Sequence, residues 1–351
     1  MLKICEKIQP VDKSIGNEVR AYLDTLTKPI GSLGRVEELA IQLGEITSNH
    51  FPSVSPPGLI VFAADHGVAG EGVSAYPQEV TVQMVHNFLN GGAAINVLAK
   101  QIDAKLDIVD IGVASEIERD GLISRKVRYG TGNFLKEDAM SRDEALEAIR
   151  VGMDAANDMI QRGAKCLLLG EMGIGNTTSS SAILSVLLME NNLERIVGTG
   201  TGISEIKIKH KQQVIKQAVE NRQPDPGDPL DILAKLGGLE IAGMIGAIFG
   251  AAEKRIPILI DGFISTVAAI LAVEMCQPIK GYLIIGHQSK EIGHRLALEL
   301  LEKKPLLDLE LRLGEGSGAA LAYPIVKASA RILKDMATFA SAGVSESTNS
   351  K

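Results

Sequence analysis

Tryptophan is absent from this sequence and aromatic residues make up only 3% of it, so the ring platforms on which single-stranded nucleic acids stack are missing. The net charge of −7 points the same way, because it repels a phosphate backbone. Cysteine is scarce as well. Cys5, Cys166 and Cys276 are far apart and odd in number, which writes neither a disulfide framework nor a Cys-x-x-Cys metal or redox site and suits a reducing cytosol. Long apolar runs are lacking too. The N-terminus MLKICEKIQP has no apolar centre of the signal-peptide kind, and the weakly polar stretch from Gly237 to Ala252 is interrupted by Glu240 and too short for a bilayer. Short catalytic fingerprints are also missing. GTGTG at 198–202 leaves G-x-G-x-x-G incomplete, and no phosphate-loop lysine motif, H-E-x-x-H, G-x-S-x-G or calcium-loop pattern occurs. Neither a dinucleotide oxidoreductase nor a P-loop NTPase is supported.

What is present is a chain of 351 residues, 45% apolar and 23% charged, large enough for one sizeable core and a smaller appendage. From about residue 58, short runs rich in Ile, Leu and Val alternate with helix-period segments, the pattern of βαβ units on a buried parallel sheet. Strands are expected at 59–65, 105–112, 165–171, 195–200, 257–262 and 281–287, with a weaker candidate at 307–314, and helical patterns such as 180–189 and 265–275 lie between them. The fold class expected is therefore α/β: a three-layer, Rossmann-like parallel sheet with helices on both faces, plus a small helical domain. Segments 1–50 and 317–340 are assigned to that small domain, 51–316 to an α/β nucleotide-binding catalytic domain and 341–351 to a flexible tail. Residues 48–58 read as a linker and 221–229 as a surface loop.

The strand candidates end in DHG, DIG, GEMGIGN, GTGTG, DGF, GHQS and GEGSG. In open α/β sheets, ligands bind beyond the carboxyl ends of the strands, where glycine lets the backbone approach and helix N-termini present N–H groups. Seven such endings predict one polar, glycine-lined rim. In GEGSG, glycines flank Glu315 on both sides and free the backbone to project the acid into a cleft; the plainer reading is that it complements a helix N-terminus. His66, His287 and His294 lie near strand ends, where hydrogen-bonding or structural roles outweigh metal binding, and no metal ligand set is assigned.

The segments KPIGSLGRVEELA (28–40), ADHGVAGEGVSAYP (64–77), GEMGIGNTT (170–178), KLGGLEIAGMIGA (235–247), ILIDGF (258–263) and LRLGEGSGAALAYPIVKA (311–328) resemble, in order, those of the CobT family, the nicotinate-nucleotide–dimethylbenzimidazole phosphoribosyltransferases. The resemblance runs from about Leu26 to Lys334. It implies transfer of a phosphoribosyl group from nicotinate mononucleotide to an aromatic acceptor for cobamide synthesis, with nicotinate leaving and the anomeric configuration inverting, and with neither cofactor nor metal. Glu315 falls on the family's catalytic glutamate. Glu171 and Lys211 match polar residues around the nucleotide; Gly173, Gly175, Gly200, Thr201, Gly262 and Ser289 would supply N–H groups and hydroxyls to phosphate and ribose; and Asp261 would fix a ribose hydroxyl or a loop. Lys211 also reads as a solvated charge in the run IKIKHKQ.

The sequence departs from benzimidazole-using members in the acceptor pocket, for which Tyr76, Met84, Met172 and Leu313 are the candidates. Tyr76 stands in place of Ser, Met84 of Gln and Met172 of Leu. A phenol ring and two adaptable thioethers replace groups that would face an imidazole edge, a combination similar to the phenol-accepting, ArsA-type branch, whose acceptors are phenol and p-cresol. The alternative is that the two methionines are ordinary core residues and Tyr76 a loop residue. The resemblance further implies a dimer, either of identical chains or with a related ArsB-type chain. A non-catalytic partner role is disfavoured by the retained Glu315, and a hydrolase by the missing nucleophile motif.

Overall fold

A computed structural model describes residues 2–200 and 202–345 of the chain. Six strands form one parallel sheet: β1 Pro57–Ala64, β2 Lys105–Gly112, β3 Leu122–Ser124, β4 Cys166–Met172, β5 Ile258–Ile260 and β6 Leu283–Ile285, in the order β3-β2-β1-β4-β5-β6. All eight residues of β1 are buried, as a central strand covered on both faces requires. Its side chains alternate between two apolar clusters, Ile60, Phe62 and Ala64 in one and Leu59, Val61 and Ala63 in the other, so the sheet separates two cores at the period-2 spacing of a strand. On the first face, helices Arg142–Gln161 and Leu239–Glu253 cross closely because glycines meet backbone there: a Cβ on Gly152 would stand 1.9 Å from the Gly243 carbonyl oxygen, and one on Gly246 would stand 1.8 Å from that of Ile149. On the second face lie helices Val80–Leu89 and Ala94–Gln101 and the first turns of Ser317–Asp335.

A third, smaller cluster joins Val19 and Leu23 of helix Lys13–Asp24, Ala40 and Ile41 of helix Arg35–Thr47, Leu26, and Leu333 near the far end of Ser317–Asp335. Both ends of the chain thus meet, and the helix Ser317–Asp335 belongs to the sheet at its start and to this cluster at its end. The segment before β1 is pinned: the Tyr323 hydroxyl lies 3.0 Å from the Val54 carbonyl and 2.8 Å from Ser55 Oγ. Among the described residues no helix is long and apolar enough to cross a membrane.

Five sequence expectations are corrected. RIVGTG at 195–200 is no strand; a short 3-10 turn, Leu193–Arg195, runs into a loop over the rim, where Gly198 packs against Glu291. The segment 307–314 contributes a single bridge, Leu307 to His287, because its alternating leucines do not face a core: Leu309 and Leu313 are more than half exposed. β3 is a strand the pattern does not announce, being three residues on a half-exposed edge. The tail begins later than 341, since Ser341 and Ala342 close a helix capped by Thr338; residues 346–351 lie outside the described residues. Finally, Cys5 and Cys276 form a disulfide, with Cα atoms 5.6 Å apart across 271 residues of sequence. Linear spacing carries no trace of that pairing, because the packing of the chain's N-terminal segment beside the 3-10 turn Gln277–Tyr282 creates it.

Candidate active site

The chain order reverses between β1 and β4, the switch point at which sheets of this order open a ligand crevice. β1 delivers Asp65 and His66 there, β4 delivers Glu171, Met172 and Gly173, and β5 and β6 add Asp261 and His287. Helices Asn176–Leu187, Phe263–Met275 and Ser317–Asp335 begin along the same rim, with Gly175, Gly262 and Gly316 at their N-caps, so free N–H groups and positive dipole ends converge on it.

Glu315 sits in a backbone that L-residues rarely adopt: Gly314, Glu315 and Gly316 have φ of 84°, 62° and 89°. A non-glycine residue held there costs roughly 1–3 kcal/mol and persists only where its surroundings fix it. They do. Gly170 of β4 lets the loop approach, since a Cβ there would stand 2.3 Å from the Glu315 carbonyl oxygen. The Asp261 carboxylate accepts the Gly316 amide at 3.2 Å and the Ala319 amide at 2.9 Å, tying the loop and the helix start to β5. Glu315 is 5% exposed, and its Oε2 has no hydrogen-bond partner among the described residues. Burial raises its pKa, partly offset by the Ile95 amide, with Asp261 adding to the rise. The helix N-terminus that Glu315 meets is therefore that of Ala94–Gln101, not the helix it precedes.

Glu171 lies below this loop. It accepts from the Asn176 side chain and from the Glu315 amide, and its pKa is raised well above the usual range by burial and then by Asp261, Glu240 and Glu315. Asp261 is raised too, first by burial, with His287 Nε2 at 3.6 Å from its Oδ1 opposing the rise. His66 and Glu240 form a fully buried pair at 2.6 Å, with His66 wedged between Gly173, Gly175 and Gly238. Among the described residues no group of three or more His, Cys, Asp or Glu side chains is arranged to hold a metal ion.

A second part of the rim carries the cation. Lys211, on helix Glu205–Arg222, is 1% exposed, which removes the solvated-charge reading, and its Nζ donates to Thr177 Oγ1 at 2.9 Å. Burial pulls its pKa down to about 8, against the raising effect of Glu291. Gly200, at φ 53°, passes so close that a Cβ would stand 2.9 Å from Thr177 Oγ1 and 3.3 Å from Lys211 Nζ. Lysine, threonine hydroxyl, glycine backbone and the start of helix Asn176–Leu187 together make a cradle suited to an anion. Thr201 lies outside the described residues. Ser289 is 8% exposed, and its amide donates to His294 Nδ1 at 2.7 Å. His294 therefore carries its proton on Nε2, which faces Thr266 Oγ1 at 2.9 Å, and burial keeps the ring neutral by pulling its pKa down to about 3. Gly262 is packed against His287 and Ser289.

The acceptor candidates divide. Met84 and Met172 are partly buried against one apolar cluster, that of Ala63, Val85 and Ala319, whereas Tyr76 and Leu313 are each 55% exposed at the surface.

A phosphoribosyltransferase family model matches residues 8–344. The nicotinate-nucleotide–dimethylbenzimidazole phosphoribosyltransferase of Halalkalibacterium halodurans is 53% identical over 96% of this chain and 94% of its own length, and that of Chloroflexus aggregans is 51% identical over 97% and 96%. The crystal structure of CobT from Thermus thermophilus superposes with a TM-score of 0.91 at 44% identity, covering 95% of this chain and all of that one. The chain belongs to the nicotinate-nucleotide–dimethylbenzimidazole phosphoribosyltransferase family. The rim that carries the family's segments also holds groups that sequence reasoning passed over, namely Glu240, Asn176, Thr177, Glu291 and the paired role of His294. Glu240 had a legible signal: it is the lone acid in the otherwise apolar first turns of Leu239–Glu253, a place a carboxylate does not occupy without a partner.

Proposed function

We propose that this chain transfers the phosphoribosyl group of nicotinate mononucleotide to an aromatic acceptor for cobamide synthesis, with Glu315 as the base. The acceptor's hydroxyl or ring N–H gives its proton to Glu315, its heteroatom bonds to the anomeric carbon from the face opposite nicotinate, and nicotinate leaves with the electrons of the broken C–N bond. The observation that carries this is the free, buried Oε2 of Glu315 on a rigid loop, with basicity raised by burial. Lys211, Gly200, Thr201, Gly173, Gly175, Gly262 and Ser289 are assigned to phosphate and ribose and Glu171 to the nucleotide, while Asp261 acts by holding the Glu315 loop. The step needs no cofactor.

For the acceptor we favour phenol or p-cresol. A free phenol has a pKa of about 10 and attacks well only as its proton leaves, which suits a base of raised pKa, and Met84 and Met172 offer thioethers from one apolar cluster to a single ring. Dimethylbenzimidazole is the second reading, favoured by the activity for which the relatives are named. The test is competition between p-cresol and dimethylbenzimidazole for one pool of nicotinate mononucleotide, run with and without a related chain to separate homodimer from heterodimer action. Converting Tyr76, Met84 and Met172 together to Ser, Gln and Leu should move the product ratio toward dimethylbenzimidazole by about 5- to 150-fold, the equivalent of one buried polar group left unpaired. An unchanged ratio returns the acceptor to dimethylbenzimidazole.

A further inference from the structure

At the amino end of the sheet, remote from the rim, a cavity of about 250 Å³ opens between helices Lys13–Asp24 and Arg35–Thr47, the turn before β6 and the residues after helix Ile292–Leu301; Lys13, Arg20, Glu38, Gln42, Glu45 and Lys303 line it. Its charges do not balance. Glu45 is bound by Lys13 at 2.6 Å, Glu38 by Arg35 at 2.6 Å and Glu302 by Lys280. That leaves Arg20 and Lys303, whose side chains form no hydrogen bond or ion pair among the described residues. Gln42 cannot help, since its amide is spent on the Gly281 and Leu283 carbonyls at 3.1 and 3.0 Å. The cavity is thus lined by three cations, Lys13, Arg20 and Lys303, against two carboxylates, Glu38 and Glu45, both of which are already paired.

We propose that this cavity binds a small tetrahedral dianion, orthophosphate or the phosphate of a phosphomonoester, between Arg20 and Lys303, joining the N-terminal helices to the sheet. Lys303 already registers the charge imbalance: burial, then Arg35, Lys280 and Lys13, pull its pKa down to about 8, with only Glu45 opposing. A dianion reverses that imbalance and restores the protonated amine. Binding is therefore strongest below pH 8, where Lys303 is charged in the free protein, and weakens by about tenfold between pH 7 and 9 as its proton must be taken up. The other charged groups around Lys303 are Arg20, Lys13, Glu38 and Glu45 in the cavity wall and Arg35, Lys280 and Glu302 beside it.

Sulfate is the appropriate probe, because its charge is fixed over this range. In a Lys211→Met background, which removes the other anion cradle and its lysine of similar pKa, millimolar sulfate at ionic strength matched with chloride should raise the melting temperature of the whole chain at pH 7 and do so less at pH 9, with one calorimetric site that is lost when either Lys303→Met or Arg20→Ala is added. Arg20 is exposed, so its truncation leaves a folded control if Lys303→Met does not fold. A sulfate response retained in Arg20→Ala or in folded Lys303→Met, or equal at the two pH values, overturns the proposal. Displacement of sulfate by orthophosphate as readily as by ribose phosphate identifies the free ion; displacement by the ester at lower concentration identifies a phosphorylated metabolite.

Discussion

The two ends of the sheet are electrostatic opposites. The carboxyl rim buries Glu171, Glu240, Asp261 and Glu315, and burial raises the pKa of Glu171, Asp261 and Glu315, with repulsion adding to it for Glu171 and Glu315; the amino end crowds cations, and the pKa of Lys303 falls. Uncompensated charge is costly to bury, and folding alone would select hydrophobic replacements at either end. The difference lies in the scaffolding. Of these four acids, every oxygen but one of Glu315 and one of Glu240 is held by amides, an asparagine or a histidine, whereas at the amino end the Arg20 and Lys303 side chains have no polar partner among the described residues. The rim carboxylates are held by a network of amides and side chains, whereas at the amino end Lys13, Glu45 and Gln42 are tied down and the Arg20 and Lys303 side chains are not.

Breaking the rim should have the largest effect. Glu315→Gln keeps shape but cannot take a proton, so turnover should fall by about 10²–10⁴-fold while nicotinate mononucleotide still binds. Near-normal turnover in the purified variant would remove Glu315 from the chemistry. Lys211→Ala should act on the nucleotide, raising its Michaelis constant by the equivalent of about 1.5–3 kcal/mol, a charge-assisted hydrogen bond; unchanged nucleotide affinity by calorimetry would exclude Lys211 from the phosphate cradle.

Stability measurements sharpen the comparison further. Because the folded pKa of Glu171 lies above its unfolded value, its contribution is fully present below the unfolded pKa and is lost as pH rises through the folded one. Glu171→Gln should thus melt at or above wild type at pH 8, with the gap closing toward pH 5; a variant less stable than wild type at pH 8 would show that the ionised carboxylate is a net stabiliser. His294 has the opposite sign, since its folded pKa of about 3 lies below the ordinary 6.5, so its contribution is lost as pH falls from about 6.5 toward 3. His294→Leu should cost about 1–3 kcal/mol at pH 7 by orphaning the Ser289 amide and the Thr266 hydroxyl, and should flatten the acid limb of the stability profile. An acid limb identical to wild type would mean that other groups govern it.

Local pattern alone located β1, β2, β4, β5 and β6, because buried parallel strands leave continuous Ile/Leu/Val runs that end in glycine, and it located Gly173 and Gly262 of the rim for the same reason; Glu315, which no strand precedes, was marked by its flanking glycines and by the family resemblance. Where a strand pattern had no partner, as at 195–200 and at the weaker candidate 307–314, it misled: a strand is made by its neighbours, and among the described residues these segments have none beyond one bridge. Lys211 looked like one more charge in a charged run, and only the packing of its helix against Thr177 and Gly200 buries it. The same holds for His66 with Glu240, 174 residues apart, for Cys5 with Cys276, and for the unmatched cations around Lys303. The sequence by itself determined which segments are strands, where the glycine-lined turns fall and which acid is freed by its flanking glycines, since these follow from periodicity and local backbone sterics. The tertiary structure alone decided which charges meet and which are left unpaired, because burial and Coulomb interaction depend on distances in space that separation along the chain does not encode.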